Sequence, residues 1–439
     1  MSVVAGVGRA DITPPVGIKQ SGYASRQTGS VGIHDDLACT ALYLEQDGAA
    51  AVLVGLDIIM FGADEVAAIR EVCTDLTGVP GERIMLACTH THAGPLTGPG
   101  EGDPLRAAYA ECLRWQVAGA IREAMQQPQP VSMAHTRRAV RLAGNRRERT
   151  AEGTILGYNP HAPTPTAADI VQLADAHGRP LAALVVYDCH GTTLGPDNLL
   201  ISADYHGYAR HLVESQVPGC RAMVLGGCGA NQNPYPRGTH DLARQHGLRL
   251  GAAAYQGLLE NVQPRPVSRL GVATHQASLP VAPLPSLEEC RQQLATAEAA
   301  AEAERAAAGD PEADLSWLVG RQLRQARERL EAAEGGVTDL GIRMELQAIA
   351  LDEVAFVGLP GEIFFEIGQA IRAASPFPVT LPLGWTNGSI GYIPSEAEVP
   401  FGGYEVEMAR ASRHGLAAAD DADRSLTVEA VKALQMAHA

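Results

Sequence analysis

The chain has 439 residues, of which 46% are apolar and 19% are charged, so it can bury a large core and differs from disordered proteins. Its formal net charge of −16 argues against a nucleic-acid partner and a membrane-surface role, since both need clustered basic residues. The longest apolar stretch, residues 49–60, is far shorter than the roughly 20 residues that cross a bilayer. An intracellular globular enzyme is therefore the default expectation.

The cellular compartment is indicated by the N-terminus and by cysteine usage. The first fifteen residues lack both a basic leader and an apolar signal core, so we expect a cytoplasmic protein. Eight cysteines are scattered without a CxxC pair, which favours reduced, mostly buried thiols over a disulfide framework. They are Cys39, Cys73, Cys88, Cys112, Cys189, Cys220, Cys228 and Cys290.

Short apolar runs of strand length recur along the chain, and each ends abruptly in glycine, histidine or acidic residues. In chain order, they end at Asp57, at His90 and His92, at His190, at a glycine-rich turn over residues 226–229, and at Glu362. Helical stretches with a 3.6-residue apolar period lie between some of them, for example residues 64–76 and 104–125. This alternation predicts an α/β fold with a mixed β-sheet core flanked by helices. Because ligands gather at the carboxyl ends of strands in such folds, the strand ends predict one shared cleft.

The segment of residues 286–336 differs from the rest in composition, because Ala, Glu, Arg and Leu dominate it. The sequence GDPEAD in its middle supplies a glycine and a proline that break two good helices, so the segment predicts a helical hairpin. The hairpin is either a solvated helix pair packed on the body of the protein or a lid or dimer contact. We expect it to be an insertion within one domain that spans residues 1–439, and a homo-oligomer is possible.

A histidine pair, His90 and His92, follows a buried apolar run. In an extended segment, a spacing of two residues places both imidazoles on one face, where one can bind a metal while the other faces substrate. Ordinary hydrogen-bonded histidines are the alternative, for this pair and for His190. Glu362 lies where a strand gives way to a helix and could equally cap that helix. Together, these side chains form the nitrogen and oxygen ligand set that catalytic Zn²⁺ prefers.

Eight short motifs occur in the order found in the neutral ceramidase family of Zn²⁺ amidases, and the chain resembles the N-terminal catalytic domain of that family. They are ADITPPVG, GIHDDL, CTHTHAGP, GNRR, CHGT, SADYHGY, PGE and NGSIGYI. The resemblance implies an enzyme whose Zn²⁺ is bound by His90, His190, Glu362 and Tyr392. It also implies that the reacting amide is lined by His92, Arg146 and Tyr404.

For each of these side chains, a role in the reaction has to be weighed against an ordinary structural role. The planar guanidinium of Arg146 suits a carbonyl or carboxylate, whereas the adjacent Arg147 is expected to be an ordinary solvated arginine. Tyr392 either ligates the metal or donates to the oxyanion, or it is an ordinary tyrosine at a sheet edge. Asp57 is a candidate to orient a ligand histidine from behind.

One position departs from the family's pattern. Family members carry a GDxSP segment whose serine has been assigned a catalytic role, and residues 230–234 correspond to it, with Asn233 at the serine position. An asparagine side chain is not a nucleophile, so the sequence predicts catalysis by a metal-activated water instead. The glycine-rich turn at residues 226–229 is either an anion-binding turn or a tight structural turn.

We therefore expect a Zn²⁺-dependent hydrolase, similar to ceramidases rather than a true ceramidase, that cleaves the amide bond of a small polar molecule. His92 is expected to take up the proton of the attacking water, while the metal, Tyr392 and Arg146 polarise the carbonyl. An ester or lactone is the next most favoured substrate. The hypotheses from other classes are a divalent-metal lyase or isomerase and a non-catalytic metal-binding or assembly protein.

Overall fold

Runs of strands are separated by helices along the chain in the computed structural model, which describes residues 2–98, 102–260, 263–311, 313, 315–336, 341–410 and 416–439. The strands are β1 (Val4–Asp11), β2 (Gly32–Ile33), β3 (Ala38–Gln46), β4 (Ala49–Leu56), β5 (Ile84–Cys88), β6 (Gln129–Pro130), β7 (Ser132–Ala139), β8 (Ala143–Thr150), β9 (Gly153–Asn159), β10 (Ala167–Ala174), β11 (Pro180–Tyr187), β12 (Leu200–Ile201), β13 (Arg221–Gly226), β14 (Gln232–Pro234), β15 (Arg265–Pro266), β16 (Leu270–Pro280), β17 (Gly341–Leu351), β18 (Val354–Gly358), β19 (Glu362–Ile363), β20 (Val379–Leu383) and β21 (Tyr392–Ile393). The helices are α1 (Ala63–Thr77), α2 (Pro104–Ala124), α3 (Asp204–Gln216), α4 (His240–Leu259), α5 (Leu287–Ala308), α6 (Trp317–Glu334), α7 (Phe365–Ala374), α8 (Tyr404–Arg410) and α9 (Ala422–His438).

Three large sheets organise the described part of the chain. Their strand orders are β5-β4-β3-β1-β6, β13-β11-β10-β7-β15 and β16-β17-β18-β20. Each contains one parallel pair, namely β4 with β5, β11 with β13, and β18 with β20, while the other pairs are antiparallel. The smaller sheets are β14-β8-β9, β12-β2 and β19-β21. The predicted α/β fold with a mixed sheet core and flanking helices is confirmed.

One face of each large sheet packs on a shared apolar core, to which Leu53, Leu184 and Phe356 each contribute from a different sheet. The opposite faces pack on helices: the first sheet on α1 and α2, the second on α3 and α4, and the third on α7 and α9. Since side chains alternate along a strand, Val52 and Val54 face helices while Leu53 between them faces the shared core. Burial on both faces explains why these strands are nearly continuous apolar runs.

Two helices, α5 and α6, occupy the segment predicted to be a helical hairpin and pack against each other. Ser286 precedes α5 and forms a capping box, in which its hydroxyl accepts from the N–H of Glu289 at 3.3 Å and its own N–H donates to the Glu289 carboxylate at 2.8 Å. Arg329 on α6 donates to the carbonyl of Arg410 at the end of α8, so the hairpin lies against α8. Residues 312 and 314 of the predicted turn lie outside the described residues, and the single-domain organisation stays a prediction.

All eight cysteines are free, and seven of them are buried while Cys112 is exposed. Burial raises the pKa of Cys73 and of Cys220 to about 12, so these thiols stay protonated at neutral pH. They behave as small apolar packing residues, as the sequence predicts. Among the described helices, none combines the length and the apolar composition that a bilayer crossing needs.

Candidate metal centre

Loops that follow the parallel strands of the three large sheets meet in one place. The N–H of His92, after β5, donates to the carbonyl of Gly191, after β11, at 2.9 Å. A Cβ at Gly191 would lie 2.8 Å from the carbonyl oxygen of His90, so this approach of the two loops requires glycine. From the third sheet, the carbonyl of Trp385, after β20, accepts from the N–H of Cys88 at 3.3 Å. The strand ends at His90, His92 and His190 therefore meet, as the sequence predicts.

Two pairs of short strands bring the remaining side chains to this cleft. Glu362 and Tyr392 are direct partners in the parallel pair β19-β21, so their side chains project from the same face. Arg146 lies on β8, which pairs with β14, and the N–H of His190 donates to the carbonyl of Gln232, the first residue of β14, at 3.1 Å. The pairing of β8 with β14 therefore places Arg146 beside His190.

The side chains of His90, His190 and Glu362 converge at the centre of the cleft. The Oε2 atom of Glu362 lies 3.3 Å from Nε2 of His190 and 3.5 Å from Nε2 of His90. This oxygen is buried and makes no hydrogen bond of normal geometry to any described residue. A tetrahedral Zn²⁺ with ligand bonds of about 2.0–2.1 Å separates its ligand atoms by about 3.4 Å. The carboxylate oxygen therefore lies at this spacing from each of the two nitrogens and has the unmet polar contact that such an ion would satisfy.

Backbone carbonyls fix the tautomers of two of these imidazoles. Nδ1 of His90 lies 2.7 Å from the carbonyl oxygen of Ile59, and Nδ1 of His190 lies 2.7 Å from that of Gly229. Because a carbonyl only accepts hydrogen bonds, each Nδ1 carries the proton and each Nε2 presents a lone pair to the cleft. A histidine held in this way is typical of metal ligands.

His92 is the third imidazole of the cleft. Its Nε2 lies 3.2 Å from Nε2 of His90, and the ring nitrogens of His90, His92 and His190 approach within 4.8 Å of one another. Its Nδ1 is buried and has no hydrogen-bond partner in the part of the chain that the structure describes. No carbonyl fixes its tautomer, in contrast to the other two rings. The spacing of its Nε2 suits a metal ligand as well, while its unfixed tautomer is what a proton-exchanging group needs.

Arg146 and two tyrosines form the other side of the cleft. Nη2 of Arg146 donates to the hydroxyl of Tyr392 at 3.0 Å, and its Nη1 lies 3.2 Å from Nε2 of His190. Its Nε donates to the carboxylate of Glu405 at 2.7 Å. Tyr404 packs edge-on against Tyr392, with ring centroids 5.7 Å apart, and is 40% exposed. The buried cluster thus meets solvent at Tyr404.

Burial and neighbouring charges set the protonation states in the cleft. Burial, together with Arg146, lowers the pKa of His190 to about 3, and burial with the other two imidazoles lowers the pKa of His92 well below its usual value. Both rings are therefore neutral at neutral pH. Burial and the Glu362 carboxylate raise the pKa of Tyr392 well above its usual value, so its phenol keeps its proton and is a hydrogen-bond donor.

Trp385 is a residue of the cleft that the sequence analysis missed. Its ring stacks on that of His90 at a centroid distance of 4.3 Å and meets His190 edge-on at 5.2 Å. Both His90 and Trp385 have a left-handed backbone, with φ of 61° and 51°. For residues other than glycine this conformation costs about 1 kcal/mol or more, and it concentrates at functional sites. The available signal was the GWTNG turn directly after the apolar run of β20.

The glycine-rich turn at residues 226–229 uses two of its N–H groups within the fold. The N–H of Gly227 donates to the last carbonyl of β11 at 3.0 Å, and the N–H of Cys228 donates to a buried carboxylate at 2.9 Å, so neither group is available to an anion. Asn233 nearby faces the cleft instead. Its side-chain oxygen accepts from the hydroxyl of Thr192 at 2.9 Å and lies 3.4 Å from Nη1 of Arg146. Asn233 therefore acts as a hydrogen-bonding neighbour of Arg146.

Two expectations from the sequence are wrong. Asp57 orients no ligand histidine, because its carboxylate accepts from a backbone N–H at 2.9 Å and pairs with Arg210, while a carbonyl holds the histidine. Arg147 is not solvated, because its side chain is 1% exposed and donates to the carboxylates of Glu398 and Glu405 at 2.7 and 2.8 Å. Its position beside Arg146 reflects a buried ion network that the sequence pattern did not indicate.

Comparison with known proteins identifies the family. The model of the neutral/alkaline non-lysosomal ceramidase N-terminal domain matches residues 4–226, about half of the chain. The chain belongs to this family. His90, His92, Arg146 and His190 lie inside the matched region. Glu362, Tyr392 and Tyr404 lie beyond it, so their assignment depends on the geometry described above.

Two curated members of the ceramidase family are similar in sequence. The neutral ceramidase of Pseudomonas aeruginosa is 27% identical over 282 residues, which cover 57% of this chain and 41% of that protein. Neutral ceramidase B of Dictyostelium discoideum is 26% identical over 235 residues, which cover 49% of this chain and 32% of that protein. The chain thus spans less than half the length of either relative that it matches.

Solved ceramidase structures share the fold. The crystal structure of neutral ceramidase from Pseudomonas aeruginosa superposes over 100% of this chain and 74% of that one, with a TM-score of 0.72 at 20% identity. A ceramidase complexed with C2 covers 100% of this chain and 75% of its own, with a TM-score of 0.72 at 18% identity. At this level of identity the likeness establishes the architecture alone.

Proposed function

We propose that the chain is a metal-dependent hydrolase that cleaves the amide C–N bond of an N-acyl compound. One observation carries the proposal: Oε2 of Glu362 lies 3.3 and 3.5 Å from the Nε2 atoms of His190 and His90 and makes no hydrogen bond of normal geometry within the described residues. Membership of the ceramidase family supports the amide as the bond that is cleaved, since both curated relatives carry the name neutral ceramidase.

Zn²⁺ is the cation that best fits this set of donors. His90, His190 and Glu362 would hold it, and Tyr392 is the fourth candidate because its side chain projects beside that of Glu362. Two neutral imidazoles and a carboxylate are typical of catalytic zinc sites, which keep a position open for water or substrate. When bound, Zn²⁺ supplies a Lewis acid for the carbonyl and lowers the pKa of a water molecule to about 7.

His92 is the proposed general base. Its Nε2 faces the cluster, 3.2 Å from Nε2 of His90, and its ring is neutral because burial and the neighbouring imidazoles lower its pKa. A neutral ring beside the attacking water can accept a proton at Nε2 and later deliver it to the departing amine.

Arg146 and Tyr392 would hold the carbonyl oxygen of the substrate. Nη2 of Arg146 already donates to the Tyr392 hydroxyl, so the two donors lie side by side. Although burial opposes the charge, the pKa of Arg146 lies above its usual value because of Tyr392 and Glu405, and the guanidinium stays cationic. Fixed donors of this kind stabilise the negative charge that develops on the oxygen as the carbonyl is attacked. Tyr404, at the exposed rim, would line the path of the substrate.

The substrate is proposed to be an N-acyl amide. A ceramide is the first compound to test because of the names of the relatives, and smaller polar amides are the substrates that the sequence favours. An ester or lactone is the alternative, because an activated water attacks either carbonyl. Asn233 offers no nucleophile, and its side-chain oxygen contacts Thr192 and Arg146.

The experiment compares metal-depleted and zinc-reconstituted protein on a panel of ceramide, short N-acyl amides, esters and lactones. We expect hydrolysis of at least one amide that disappears on depletion and returns with Zn²⁺. His190→Ala should lose both bound metal and activity, whereas His92→Ala should keep the metal and lose activity by a factor of about 10² to 10⁴. Incorporation of ¹⁸O from labelled water into the acid product separates a hydrolase from a lyase or isomerase.

The matched control is His275→Ala. This histidine lies on β16 and pairs with Glu429 on α9, and neither residue is among those of the cleft. It should retain both metal and activity. The proposal fails if zinc-loaded protein hydrolyses no amide, or if His190→Ala keeps its full metal content and rate; hydrolysis of esters or lactones alone would establish the alternative substrate.

A further inference from the structure

Arg146 is held at three points by buried partners. Its Nε donates to Oε1 of Glu405 at 2.7 Å, its Nη2 donates to the hydroxyl of Tyr392 at 3.0 Å, and its Nη1 lies 3.2 Å from Nε2 of His190. The side chains of Arg146 and Glu405 are 6% and 1% exposed. Because the guanidinium is planar and rigid, the partner of Nε fixes the plane in which the two terminal nitrogens lie. The direction of Nη1 and Nη2 therefore depends on Glu405.

Two of these three partners are themselves candidate ligands. His190 and Tyr392 would both face a bound cation, and a ligating nitrogen no longer accepts a hydrogen bond from Nη1. Asn233 contacts the same nitrogen only at 3.4 Å. Glu405 is the charged partner of Arg146 that lies outside the ligand set, and its bond to Nε leaves both terminal nitrogens facing the cleft.

Glu405 is in turn fixed from its other side. Its Oε2 accepts from Nη1 of Arg147 at 2.8 Å, and the side chain of Arg147 is 1% exposed. Arg147 also donates to the carboxylate of Glu398 at 2.7 Å and to the carbonyl of Gly402 at 2.8 Å. Gly402 and Gly403 have φ of 57° and 87°, so the backbone turns sharply just before Glu405 enters α8. The carboxylate therefore has little freedom to rotate.

The charges in this network suit an arginine that must face a developing anion. Glu405 is shared by two arginines, and a second carboxylate, that of Glu398, pairs with Arg147. A buried charge is tolerated only where its hydrogen bonds are complete, and Arg147 completes those of Glu405. Arg146 consequently keeps cationic donors that point at the cleft while its own charge is balanced from behind.

We propose that Glu405 is a positioning residue for the hydrolysis, which holds Arg146 so that Nη1 and Nη2 meet the carbonyl oxygen of the substrate. Glu405 itself does not touch the substrate. This inference rests on the proposed function and extends it by naming the residue that orients the oxyanion donor. The competing explanation is that Glu405 only stabilises the fold. The two explanations differ in whether the effect of a Glu405 substitution on kcat disappears once Arg146 is also replaced.

The test is a double-mutant cycle with Glu405→Gln and Arg146→Ala on the zinc-loaded full chain. The glutamine keeps the shape but turns one acceptor into a donor, which faces the donor of Arg147 or Arg146. We expect kcat to fall by about 30-fold or more with KM changed by less than about threefold, because the loss is in transition-state binding. In the Arg146→Ala background the same change should cost less than about threefold, since Glu405 then has nothing to orient. Metal content should stay equal to that of the wild type.

Glu214→Gln is the matched control, because it removes the carboxylate of a partly buried ion pair with Arg9 between β1 and α3, outside the network of Glu405, and kcat should stay within about threefold of wild type. If Glu405→Gln lowers kcat by the same factor in the wild-type and Arg146→Ala backgrounds, or lowers the content of bound metal, the positioning role is overturned. Retained activity in Arg146→Ala would instead refute the proposed function of Arg146 itself. Glu405→Asp, which keeps the charge but withdraws it by one methylene, provides the same readings if the glutamine variant does not fold. Wild-type kcat in that variant would also overturn the proposal.

Discussion

Replacing Tyr392 with phenylalanine removes one oxygen atom from the cleft and leaves the packed ring in place. The side chain is 6% exposed, and its hydroxyl accepts from Arg146 at 3.0 Å. In the resting protein Arg146 keeps its bond to Glu405, so we expect the free energy of unfolding to fall by only about 1 kcal/mol. Loss of a donor to the developing oxyanion costs about 2.7–4 kcal/mol, which corresponds to a factor of about 10² to 10³ in kcat. The effect on rate should therefore far exceed the effect on stability.

The assay measures initial rates on the best amide of the panel at saturating Zn²⁺, and urea unfolding of the same preparations. Tyr109→Phe is the matched control, because its hydroxyl also makes one buried hydrogen bond, to the carbonyl of Ile12 at 2.7 Å, but outside the cleft. It should lose similar stability and no activity. If Tyr392→Phe keeps kcat within about threefold of wild type, the assignment of Tyr392 to the reacting site is incorrect.

Three further outcomes are expected. Gly191→Ala should lower the metal content of the purified protein, because its Cβ would lie 2.8 Å from the carbonyl oxygen of His90; full metal occupancy by elemental analysis would contradict this. Asp57→Asn should lower the free energy of unfolding by about 3 kcal/mol, because it breaks a buried ion pair, yet leave metal content unchanged. Burial acts to raise the pKa of Asp169, but His135 and nearby arginines outweigh it, so the pKa is lowered. Wild type should therefore be more stable than Asp169→Asn near pH 7, and urea unfolding should show this difference shrinking below about pH 4. A stability difference that persists at acid pH would refute this prediction.

The ligand candidates could be predicted because each lies at the end of an apolar run. His90 and His190 follow buried strands within three residues, and Glu362 follows the short turn after β18, so the chain itself indicates that these side chains emerge where strands finish. Their convergence depends on three parallel pairs lying in three different sheets, and the sequence contains no local signal for that packing. The family resemblance supplied Arg146, Tyr392 and Tyr404, and the structure places all three at the cleft.

Three features of the site could not be predicted, because the groups that form them have no pattern in the sequence. The Nδ1 atoms of His90 and His190 bond to the backbone carbonyls of Ile59 and Gly229. Any residue offers a backbone carbonyl, so the residue types at these two positions give no signal. Trp385 resembles an ordinary core residue until its backbone conformation and its stacking on His90 are known. Arg147 was misread because a charged residue next to another normally indicates a solvated surface, and only long-range pairing with Glu398 buries it.

The central claim is tested most directly by a zinc-edge anomalous difference map from crystals of zinc-loaded protein. We predict one strong peak about 2.0–2.2 Å from Nε2 of His90, Nε2 of His190 and a carboxylate oxygen of Glu362, with Nε2 of His92 outside bonding distance. A peak coordinated by His92 in place of one of these residues, or zinc bound only elsewhere on the protein, would contradict the account.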